Sequence, residues 1–560
     1  MMDPIPARDQ GDLSLYLEAR NYIDLEVVRL EPRLSDPDGK VATVRAFNQD
    51  LGNPQTSFRS VQVAGTSGKG STSTWLARIL HACGVSTGLH VSPYLQAATE
   101  KTWIDGRYAA PRPWHEAYLR VRPVSESYRL RADCRASVHG MTSLAVTYEC
   151  FRHAGIGWAV METGVGGRYD LIQGLDRRLA VITDIGLDHL KTLGEDLQTI
   201  AWHKAGIMEG APRALATYDP QVWPVFEEQA ARCGCRLEPL RPEEVASLHD
   251  GPEGPVVRLK LPSLGNVEIP WPFDGGGFRL RNFAVAACAA DMLSDEGVRL
   301  TPEALAASMT AGPVPGRMET VQTQPRVILD AAHNPQKMQA LMRSLFPGTG
   351  ALGRGRGSRH RQRRGAPEIP PPLGAGPLAP PPSGENPGEM PPPLGAGPLA
   401  PPPRGAAAVP TADVPPSLPP PPSGEARRGD LASALPPPLW GRPGGGISPR
   451  FLLVLAATGD RAVEEFAAVF PVRPDVLVLT RPLLYGKKVS SPDELAIPLR
   501  GWAGRTLLAD TPAQAMQTVL SEAHPEDLVL ATGSIYMVGQ ARDRWYPWEQ
   551  VVLQGTSFPK

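Results

Sequence analysis

The stretch VAGTSGKGST, Val63 to Thr72, combines three glycines, one lysine and several hydroxyl side chains. Glycines let the backbone turn tightly enough for several N–H groups to point at phosphate oxygens. Lys69 would then place a cation on the β- and γ-phosphates, and Ser71 or Thr72 would offer a hydroxyl to Mg²⁺. The stretch departs from the common G-x-x-x-x-G-K-[ST] pattern, because a glycine follows the lysine. It predicts a nucleotide-binding loop, with a glycine-rich turn and a solvated lysine as the alternative.

Further along the chain, polar side chains follow two other apolar stretches. Glu162 ends the stretch GWAVMET, and Asp188 and His189 come just after LAVITDIG. Lys204 lies on the helical segment that follows them. A carboxylate is a suitable ligand for a hard cation, and ligands collect at the carboxyl ends of parallel strands. Taken singly, Glu162 could be a surface ion-pair partner and His189 a structural residue. Together, beside a phosphate loop, they indicate a metal-assisted nucleotide site.

The elements that must position these residues alternate in a βαβ rhythm. From Ser60 to about Thr310, short apolar strand patterns alternate with segments of helical apolar spacing. This rhythm predicts an α/β fold with a doubly wound, largely parallel sheet. A second α/β unit begins near Pro325 with RVILDAAHNPQKMQALM and continues with FLLVLAAT, DVLVLT and DLVLATG. We expect a smaller, Rossmann-like sheet there.

A low-complexity insert interrupts this second unit. The chain has 62 prolines and 56 glycines, and many of them lie in residues 348–449, where PPPLGAGPLAPPP occurs twice. Such a composition buries too little apolar surface to offset its ordering entropy, so we expect a disordered insert. A ligand for SH3-like or RNA-binding partners is the alternative. The predicted domains are residues 1–311, residues 312–347 with 450–560, and the insert at residues 348–449.

Bulk properties narrow the class of protein. The formal net charge is −1, so no global basic field favours nucleic acid as a partner. The six cysteines form no CxxC pair, which is typical of reduced thiols. No apolar run approaches the roughly 18 residues that span a bilayer. These features predict a soluble cytoplasmic protein with no nucleic-acid or membrane partner, and we expect a monomer.

The ordered motifs resemble a known family. The residues Gly65 to Ser71 spell the loop G-T-x-G-K-G-[ST], which is similar to that of folylpolyglutamate and dihydrofolate synthases in the Mur-ligase superfamily. Further blocks resemble motifs of the same family and occur in the same order along the chain. They are VSPYL, METGVGGRYD, ITDIGLDHLKTLG, HKAGI, RLRN, PGRME, ILDAAHNP and ATGSIYMVG. The resemblance covers essentially the whole chain outside the insert. It implies a Mur-ligase-like ATPase domain that binds ATP and folate, over residues 1–311. A smaller Rossmann-like glutamate-ligase domain follows, over residues 312–347 and 450–560.

The resemblance also implies an activity. Members of this family add L-glutamate to the carboxylate of folate or dihydropteroate. ATP phosphorylates that carboxylate, and the glutamate amine then displaces phosphate from the acyl phosphate. The implied cofactors are ATP and two Mg²⁺ ions.

Site residues are carried over from the matching motifs. As ATP-binding residues the resemblance implies Gly65, Thr66, Ser67, Gly68, Lys69, Gly70, Ser71, Thr72, Asn282, Arg317, Asp330 and His333. As metal ligands it implies Ser71, Glu162, His189 and, if carbamylated, Lys204. The catalytic residues implied are Lys69, Lys204 and His333, and the folate-side residues are Ser92, Pro93 and Tyr94.

Some positions depart from the family pattern. Tyr94 stands where the family has histidine, and His203 replaces a common glutamate. The substitution at Tyr94 could shift the folate preference. Two other functions compete with the folate ligase. One is another Mur-type amide ligase, and the other is a non-catalytic nucleotide-binding scaffold whose working part is the proline-rich segment.

Overall fold

The computed structural model describes residues 7–27, 36–274, 277–347, 449–458, 463–484 and 489–560. Within these residues the chain forms three β-sheets with helices packed against them. Two of the sheets are largely parallel, which confirms the predicted α/β class. Residues 348–448, nearly all of the predicted insert, lie outside the described residues.

An eight-stranded sheet forms the first part of the described chain, in the order β4-β3-β2-β5-β1-β6-β7-β8. Its strands are β1 (Arg59–Ala64), β2 (Thr87–His90), β3 (Trp103–Ile104), β4 (Arg107–Tyr108), β5 (Trp158–Glu162), β6 (Asp176–Ile182), β7 (Arg213–Thr217) and β8 (Arg236–Leu240). All neighbours pair in parallel except β2–β3 and β3–β4, which are antiparallel. The central strand β1 is buried along nearly its whole length, as expected when helices cover both faces of a parallel sheet.

A three-stranded antiparallel sheet follows: β9 (Ala246–Gly251), β10 (Gly254–Leu261) and β11 (Gly265–Pro270). The βαβ pattern did not predict it. The second half of β10 alternates between buried and exposed residues, so this sheet covers the core with one face and meets solvent with the other.

A six-stranded sheet forms the last part of the described chain, in the order β12-β13-β17-β14-β15-β16. Its strands are β12 (Glu319–Thr323), β13 (Arg326–Leu329), β14 (Phe451–Leu455), β15 (Val476–Leu479), β16 (Arg505–Leu508) and β17 (Leu528–Thr532). Only β12 runs antiparallel to its neighbour. Asp527, just before β17, accepts hydrogen bonds from the backbone and side chain of Arg450 and so fixes the start of β14.

Helices connect and cover these strands. In the described residues they are α1 (Ala7–Asn21), α2 (Pro37–Asp50), α3 (Lys69–Ala82), α4 (Pro111–Arg129), α5 (Val138–Ala154), α6 (Leu190–Leu193), α7 (Leu197–Ala205), α8 (Trp223–Cys233), α9 (Pro242–Val245), α10 (Gly277–Asp291), α11 (Pro302–Ala307), α12 (Pro335–Leu345), α13 (Val463–Ala468), α14 (Pro492–Ala496), α15 (Pro512–Glu522), α16 (Ile535–Arg542) and α17 (Trp548–Gln554). None of these helices has both the length and the apolar character that a membrane span requires.

Helix α3 is held against the first sheet by an aromatic cluster. Trp75 of α3 meets Phe283 of α10 edge-on, with ring centroids 5.5 Å apart, and Trp271 packs on Phe283 as well. Edge-to-face pairs at this spacing add to the free energy gained by burying the rings. The cluster therefore fixes the helix whose N-terminus carries the candidate phosphate loop.

The last helix of the chain, α17, packs against the N-terminal helix α1. Trp548 of α17 packs 5.8 Å from Tyr16 of α1, and Val551 and Val552 are fully buried in the same cluster. Gln96, in the loop after β2, donates a hydrogen bond to the backbone carbonyl of Tyr546. The loop after β2 is thus in direct contact with the second half of the chain.

Candidate functional site

A cavity of about 620 Å³ opens where the carboxyl ends of the central strands meet the loop after β13. Most of the predicted site residues line it. They are Thr66, Ser67, Gly68, Lys69, Gly70, Ser71, Ser92, Pro93, Glu162, His189, Asn282, Arg317, Asp330 and His333. Residues from both halves of the chain therefore line one cavity.

The loop from Gly65 to Gly68 joins β1 to α3. Gly65 and Gly68 have φ angles of +146° and +90°, which favour glycine. A Cβ at Gly65 would collide with Thr183, and one at Gly68 with Asn282. The first N–H groups of the 14-residue helix α3 have no partner inside the helix and, with the helix dipole, form an anion site.

Two lysines converge on this loop. Lys69 and Lys204 both donate hydrogen bonds to the carbonyl oxygen of Gly65, at 3.0 and 2.8 Å. Lys204 does not line the cavity and is only 3% exposed. Burial, with the nearby charge of Lys69, holds the pKa of Lys204 well below its ordinary value. The amine of Lys204 is therefore biased toward its neutral, nucleophilic form.

Glu162 is a buried carboxylate beside the start of α3. Its Oε2 accepts a 3.0 Å hydrogen bond from the backbone N–H of Ser92 and faces the Cα of Gly70. Burial raises the pKa of Glu162, and the charge of Lys69 opposes that shift. Within the described chain, no lysine, arginine or histidine lies at ion-pair distance from Glu162. A divalent cation would relieve this buried negative charge.

The donor set suits Mg²⁺. Ser71 is buried next to Glu162 at the cavity wall and offers a hydroxyl oxygen. Burial lowers the pKa of His189, so its imidazole is neutral near pH 7. The described residues contain no group of three or more His, Cys, Asp and Glu side chains that could hold a metal by themselves. Mg²⁺ is commonly bound by one or two protein oxygens with waters and substrate phosphates, so the residues fit this ion.

On the opposite wall, Asp330 organises the loop that carries Arg317. Its carboxylate accepts hydrogen bonds from the backbone N–H groups of Met318 and Ala332, at 2.8 and 2.7 Å. Burial raises the pKa of Asp330, and the charge of Arg317 opposes the rise. Arg279 adds a 3.0 Å hydrogen bond to the carbonyl of Arg317. The arginine thus projects from a fixed backbone.

His333 and Lys337 form a network that joins the two halves of the chain. The Lys337 ammonium donates to Nε2 of His333 at 3.0 Å, so His333 carries its proton on Nδ1 and donates to the carbonyl of Ala331. Lys337 also lies 3.5 Å from Asp188, which accepts a further hydrogen bond from Asn334. Burial of Asp188 is outweighed by the charges of Lys337 and its neighbours, which lower the pKa of this carboxyl.

The sequence analysis missed Lys337 as a site residue. The available signal was its position in the first turn of α12, which begins just after His333 and brings the two side chains together. Arg281 was missed too. It lines the cavity and forms a 2.7 Å ion pair with Asp184, beyond the end of β6.

Tyr94 and Thr72 lie apart from the cavity. The Tyr94 hydroxyl donates to Asp24 at 2.7 Å, and its ring packs into the cluster of N-terminal helices. Its neighbours Ser92 and Pro93 do line the cavity. Thr72 is buried in α3, where its hydroxyl has no hydrogen-bond partner among the described residues.

A second cavity, of about 460 Å³, shares part of its wall with the first. The shared residues are Gly70, Ser92, Pro93, Glu162, Arg317 and Ile535. Glu162 therefore stands between a space beside the phosphate loop and a space that runs along α3.

Comparisons with known proteins agree with this arrangement. Residues 63–290 match the family model of the Mur ligase middle domain. The dihydrofolate synthase/folylpolyglutamate synthase of Bacillus subtilis (strain 168) is 30% identical over 299 residues, which are 53% of this chain and 69% of that protein.

Solved structures share the fold at lower identity. The folylpolyglutamate synthase of Mycobacterium tuberculosis complexed with ADP has a TM-score of 0.67 at 22% identity, covering 95% of this chain and 99% of that chain. A bifunctional folylpolyglutamate synthase/dihydrofolate synthase with Mn, AMPPNP and L-glutamate bound has a TM-score of 0.62 at 20% identity, covering 92% and 95%. The predicted resemblance is confirmed, and this chain belongs to the folylpolyglutamate synthase/dihydrofolate synthase family of ATP-dependent ligases.

Proposed function

We propose that this chain uses ATP to activate the carboxylate of a folate or a dihydropteroate and joins L-glutamate to it. The position of Glu162 carries this proposal. It lines both cavities beside Gly70, so an acceptor in the second cavity would meet the γ-phosphate of ATP at this wall. The names of the relatives support the same reaction, since the Bacillus subtilis protein is a dihydrofolate synthase/folylpolyglutamate synthase.

The reaction proceeds in two displacements. A carboxylate oxygen of the acceptor attacks the γ-phosphorus, and the bond from that phosphorus to the bridging oxygen of ADP breaks. The amine of glutamate then attacks the acyl carbon, the carbon–oxygen bond to phosphate breaks, and inorganic phosphate leaves. The nitrogen loses its extra protons as the amide forms. Closure around the cavity would keep water from the acyl phosphate.

Residues on both walls would stabilise the transferring phosphoryl group. Lys69 and the N-terminus of α3 would bind the β- and γ-phosphates, and Arg317 would approach from the opposite wall. Asn282 lies against Gly68 and would contact the nucleotide. His333 lies in the loop after β13, and its Nε2 accepts a hydrogen bond from Lys337, so the pair would contact the nucleotide phosphates from that loop.

Ser71, Glu162 and His189 would hold Mg²⁺, which supplies charge neutralisation on the phosphoryl oxygens. We propose a second ion next to Lys204. The lowered pKa of Lys204 favours the neutral amine, which is the form that adds carbon dioxide to give an anionic carbamate. An unmodified ammonium at this position would repel a cation.

We propose that the monomer is the active unit, because the phosphate loop, Glu162 and Arg317 of a single chain line one cavity. The substrates are then ATP, L-glutamate and the acceptor. Nothing in these roles requires a nucleic-acid or membrane partner.

The test is purified protein with ATP, Mg²⁺ and L-glutamate, offered either dihydropteroate or tetrahydrofolate. We expect ADP and phosphate release that depends on both glutamate and an acceptor, with a product heavier by one glutamyl residue. Phosphate release that depends on glutamate but is not increased by either acceptor would point to a different Mur-type amide ligase. Nucleotide binding without release for any acceptor would point to a scaffold.

A further inference from the structure

Arg542, the last residue of α16, and Glu319, the first residue of β12, form a buried ion pair. The side chain of each is 1% exposed, and Nε of Arg542 lies 2.9 Å from both carboxylate oxygens of Glu319. Among the described residues that line the two cavities, neither of them occurs. A buried ion pair seldom contributes more net stability than apolar residues of similar volume would. The pair therefore needs an explanation besides stability.

Glu319 fixes the backbone next to Arg317. Its Oε2 accepts a 2.8 Å hydrogen bond from the N–H group of Gly316, whose carbonyl accepts one from the N–H group of Ala331 at 2.9 Å. The φ angles of Gly316 and Met318 are +64° and +48°. A positive φ is uncommon for methionine and persists only where surrounding contacts hold it. The direction of the Arg317 side chain therefore depends on these hydrogen bonds.

Arg542 also contacts the loop after β2, which belongs to the first half of the chain. Its Nη1 donates a hydrogen bond to Oε1 of Gln96 in that loop. Earlier in the same loop, the backbone N–H of Ser92 donates to Glu162 at 3.0 Å. One guanidinium thus connects the loop that contacts Glu162 with the carboxylate that fixes the backbone next to Arg317.

The segments that meet at this guanidinium are closely packed. A Cβ at Gly539, in the middle of α16, would collide with the carbonyl oxygen of Leu95, the neighbour of Gln96. A Cβ at Gly316 would lie 3.1 Å from Cδ1 of Leu95. These close approaches leave little room for α16, the loop after β2 and the loop of Arg317 to slide past one another. The ion pair therefore lies within a rigid contact between the two halves of the chain.

We propose that Arg542 and Glu319 are positioning residues, which hold Arg317 at a fixed distance from Glu162 across the first cavity. This inference rests on the proposed function, in which Arg317 stabilises the transferring phosphoryl group. Arg542 touches no substrate in this role and acts through the backbone next to Arg317. A small displacement of Arg317 lowers the rate of phosphoryl transfer, because stabilisation of the developing charge requires preorganised donors. Binding of the nucleotide by the phosphate loop depends on this position less.

The first experiment weakens the link to the first half of the chain and keeps the ion pair. Gln96→Leu removes an acceptor of Arg542, so kcat should fall by about tenfold with every acceptor that the unchanged protein uses. The dissociation constant of ADP should stay within about twofold. Gln322→Leu is the matched control, because Gln322 on β12 accepts a 3.3 Å hydrogen bond from the indole of Trp545, just after α16. The control should keep its kcat within about twofold.

An unchanged kcat in the Gln96→Leu protein would overturn the inference. So would a loss of ADP affinity as large as the loss of kcat, because the residue would then support the whole site rather than the position of Arg317.

The second experiment separates positioning from stability. Arg542→Met leaves a buried carboxylate without its partner and should lower the melting temperature by roughly 5 °C or more. Adding Glu319→Leu removes that carboxylate, so most of the melting temperature should return. Because the N–H group of Gly316 still lacks its acceptor, kcat should remain about 100-fold below that of the unchanged protein. A kcat that recovers together with the melting temperature would assign the pair a merely structural role and overturn the inference.

Hydrogen exchange tests the inference without any turnover. The backbone amides of residues 314–319 should exchange about tenfold faster in the protein with both substitutions than in the unchanged protein, while those of residues 528–532 on β17 stay protected. Equal exchange at residues 314–319 would overturn the inference. Absence of glutamate-dependent turnover by the unchanged protein would instead contradict the proposed function, and the exchange rates would still decide whether the pair fixes the loop of Arg317.

Discussion

The two cavities meet at Glu162, but the charged side chains that line them have different partners. In the first cavity cations and anions pair across the two halves of the chain, as Lys337 does with Asp188. In the second, the partners of Arg78 among the described residues are a carbonyl oxygen and an aromatic ring. A paired network holds its charges in place for a polyanion and a metal ion. A cation without a nearby carboxylate in the described chain keeps its capacity to bind an anionic group of a ligand.

The largest effect should come from Lys69 in the first cavity. Lys69→Met removes the charge closest to the transferring phosphoryl group, so kcat should fall by about 1,000-fold with either acceptor. Steady-state assays of ADP release check this, with Lys260→Met, an exposed lysine on β10, as the control. A loss confined to one acceptor would show that Lys69 serves the second cavity instead.

Glu162, on the shared wall, should have the next largest effect. Glu162→Gln should lower kcat by about 100-fold and weaken the dependence on Mg²⁺, because a carboxylate ligand is lost. The folded protein without nucleotide should be at least as stable, since burial already disfavours this carboxylate. Activity and melting temperature measured together check the two statements.

Glu227→Gln is the control for that experiment, because Glu227 is exposed on α8. A Glu162→Gln protein that unfolds at a lower temperature would assign Glu162 a structural role. If the dependence of kcat on Mg²⁺ stayed the same, Glu162 would not be a ligand of the metal ion.

A substitution of Lys337 should impair ligand binding in the first cavity and leave binding in the second unchanged. Lys337→Gln breaks the links to Asp188 and His333, so the KM for ATP should rise by about tenfold while the KM for the acceptor stays constant. Lys337→Arg should restore most of the affinity, because the charge is kept. An equal rise in the KM for the acceptor would mean that the two sites are not independent.

The smallest effect on activity should come from a site outside both cavities. Asp527 is 2% exposed in its side chain and accepts hydrogen bonds from Arg450 and from the backbone of His524. Asp527→Asn should lower the free energy of unfolding by about 1–3 kcal/mol and leave kcat unchanged. Denaturant unfolding at neutral pH checks the first part.

This stabilisation should also depend on pH. Burial of Asp527 favours the protonated acid, but its hydrogen bonds with Arg450 and His524 outweigh burial and lower the pKa. The contribution is therefore present above about pH 4 and is lost as the pH falls through the folded pKa. The gap in stability between Asp527→Asn and the unchanged protein should narrow in acid. A gap that widens would contradict the assignment.

The sequence predicted those site residues whose positions follow from a single strand or helix and the loop next to it. The glycine pattern before α3 indicated a phosphate loop, and the polar residues Glu162 and His189 followed apolar strands. Because the carboxyl ends of parallel strands share one sheet edge, their meeting could be expected from the βαβ rhythm.

Other features depend on contacts between segments far apart in the chain. Arg78 looks like an ordinary solvated helix residue until residues 307–315 and 555–558 close over it. Lys337 reaches Asp188 only because the fold brings α12 next to the loop after β6. The strands β9, β10 and β11 follow one another with no helix between them. The βαβ rhythm therefore could not predict this antiparallel sheet.

The central claim is that the acceptor carboxylate receives the γ-phosphoryl group of ATP. Its most direct measurement uses an acceptor whose reacting carboxylate carries a heavy isotope at both oxygens, with ATP, Mg²⁺ and L-glutamate. One labelled oxygen should appear in each inorganic phosphate released, because the carbon–oxygen bond of the acyl phosphate breaks when glutamate enters. Phosphate without the label, formed alongside a glutamylated product, would contradict the account.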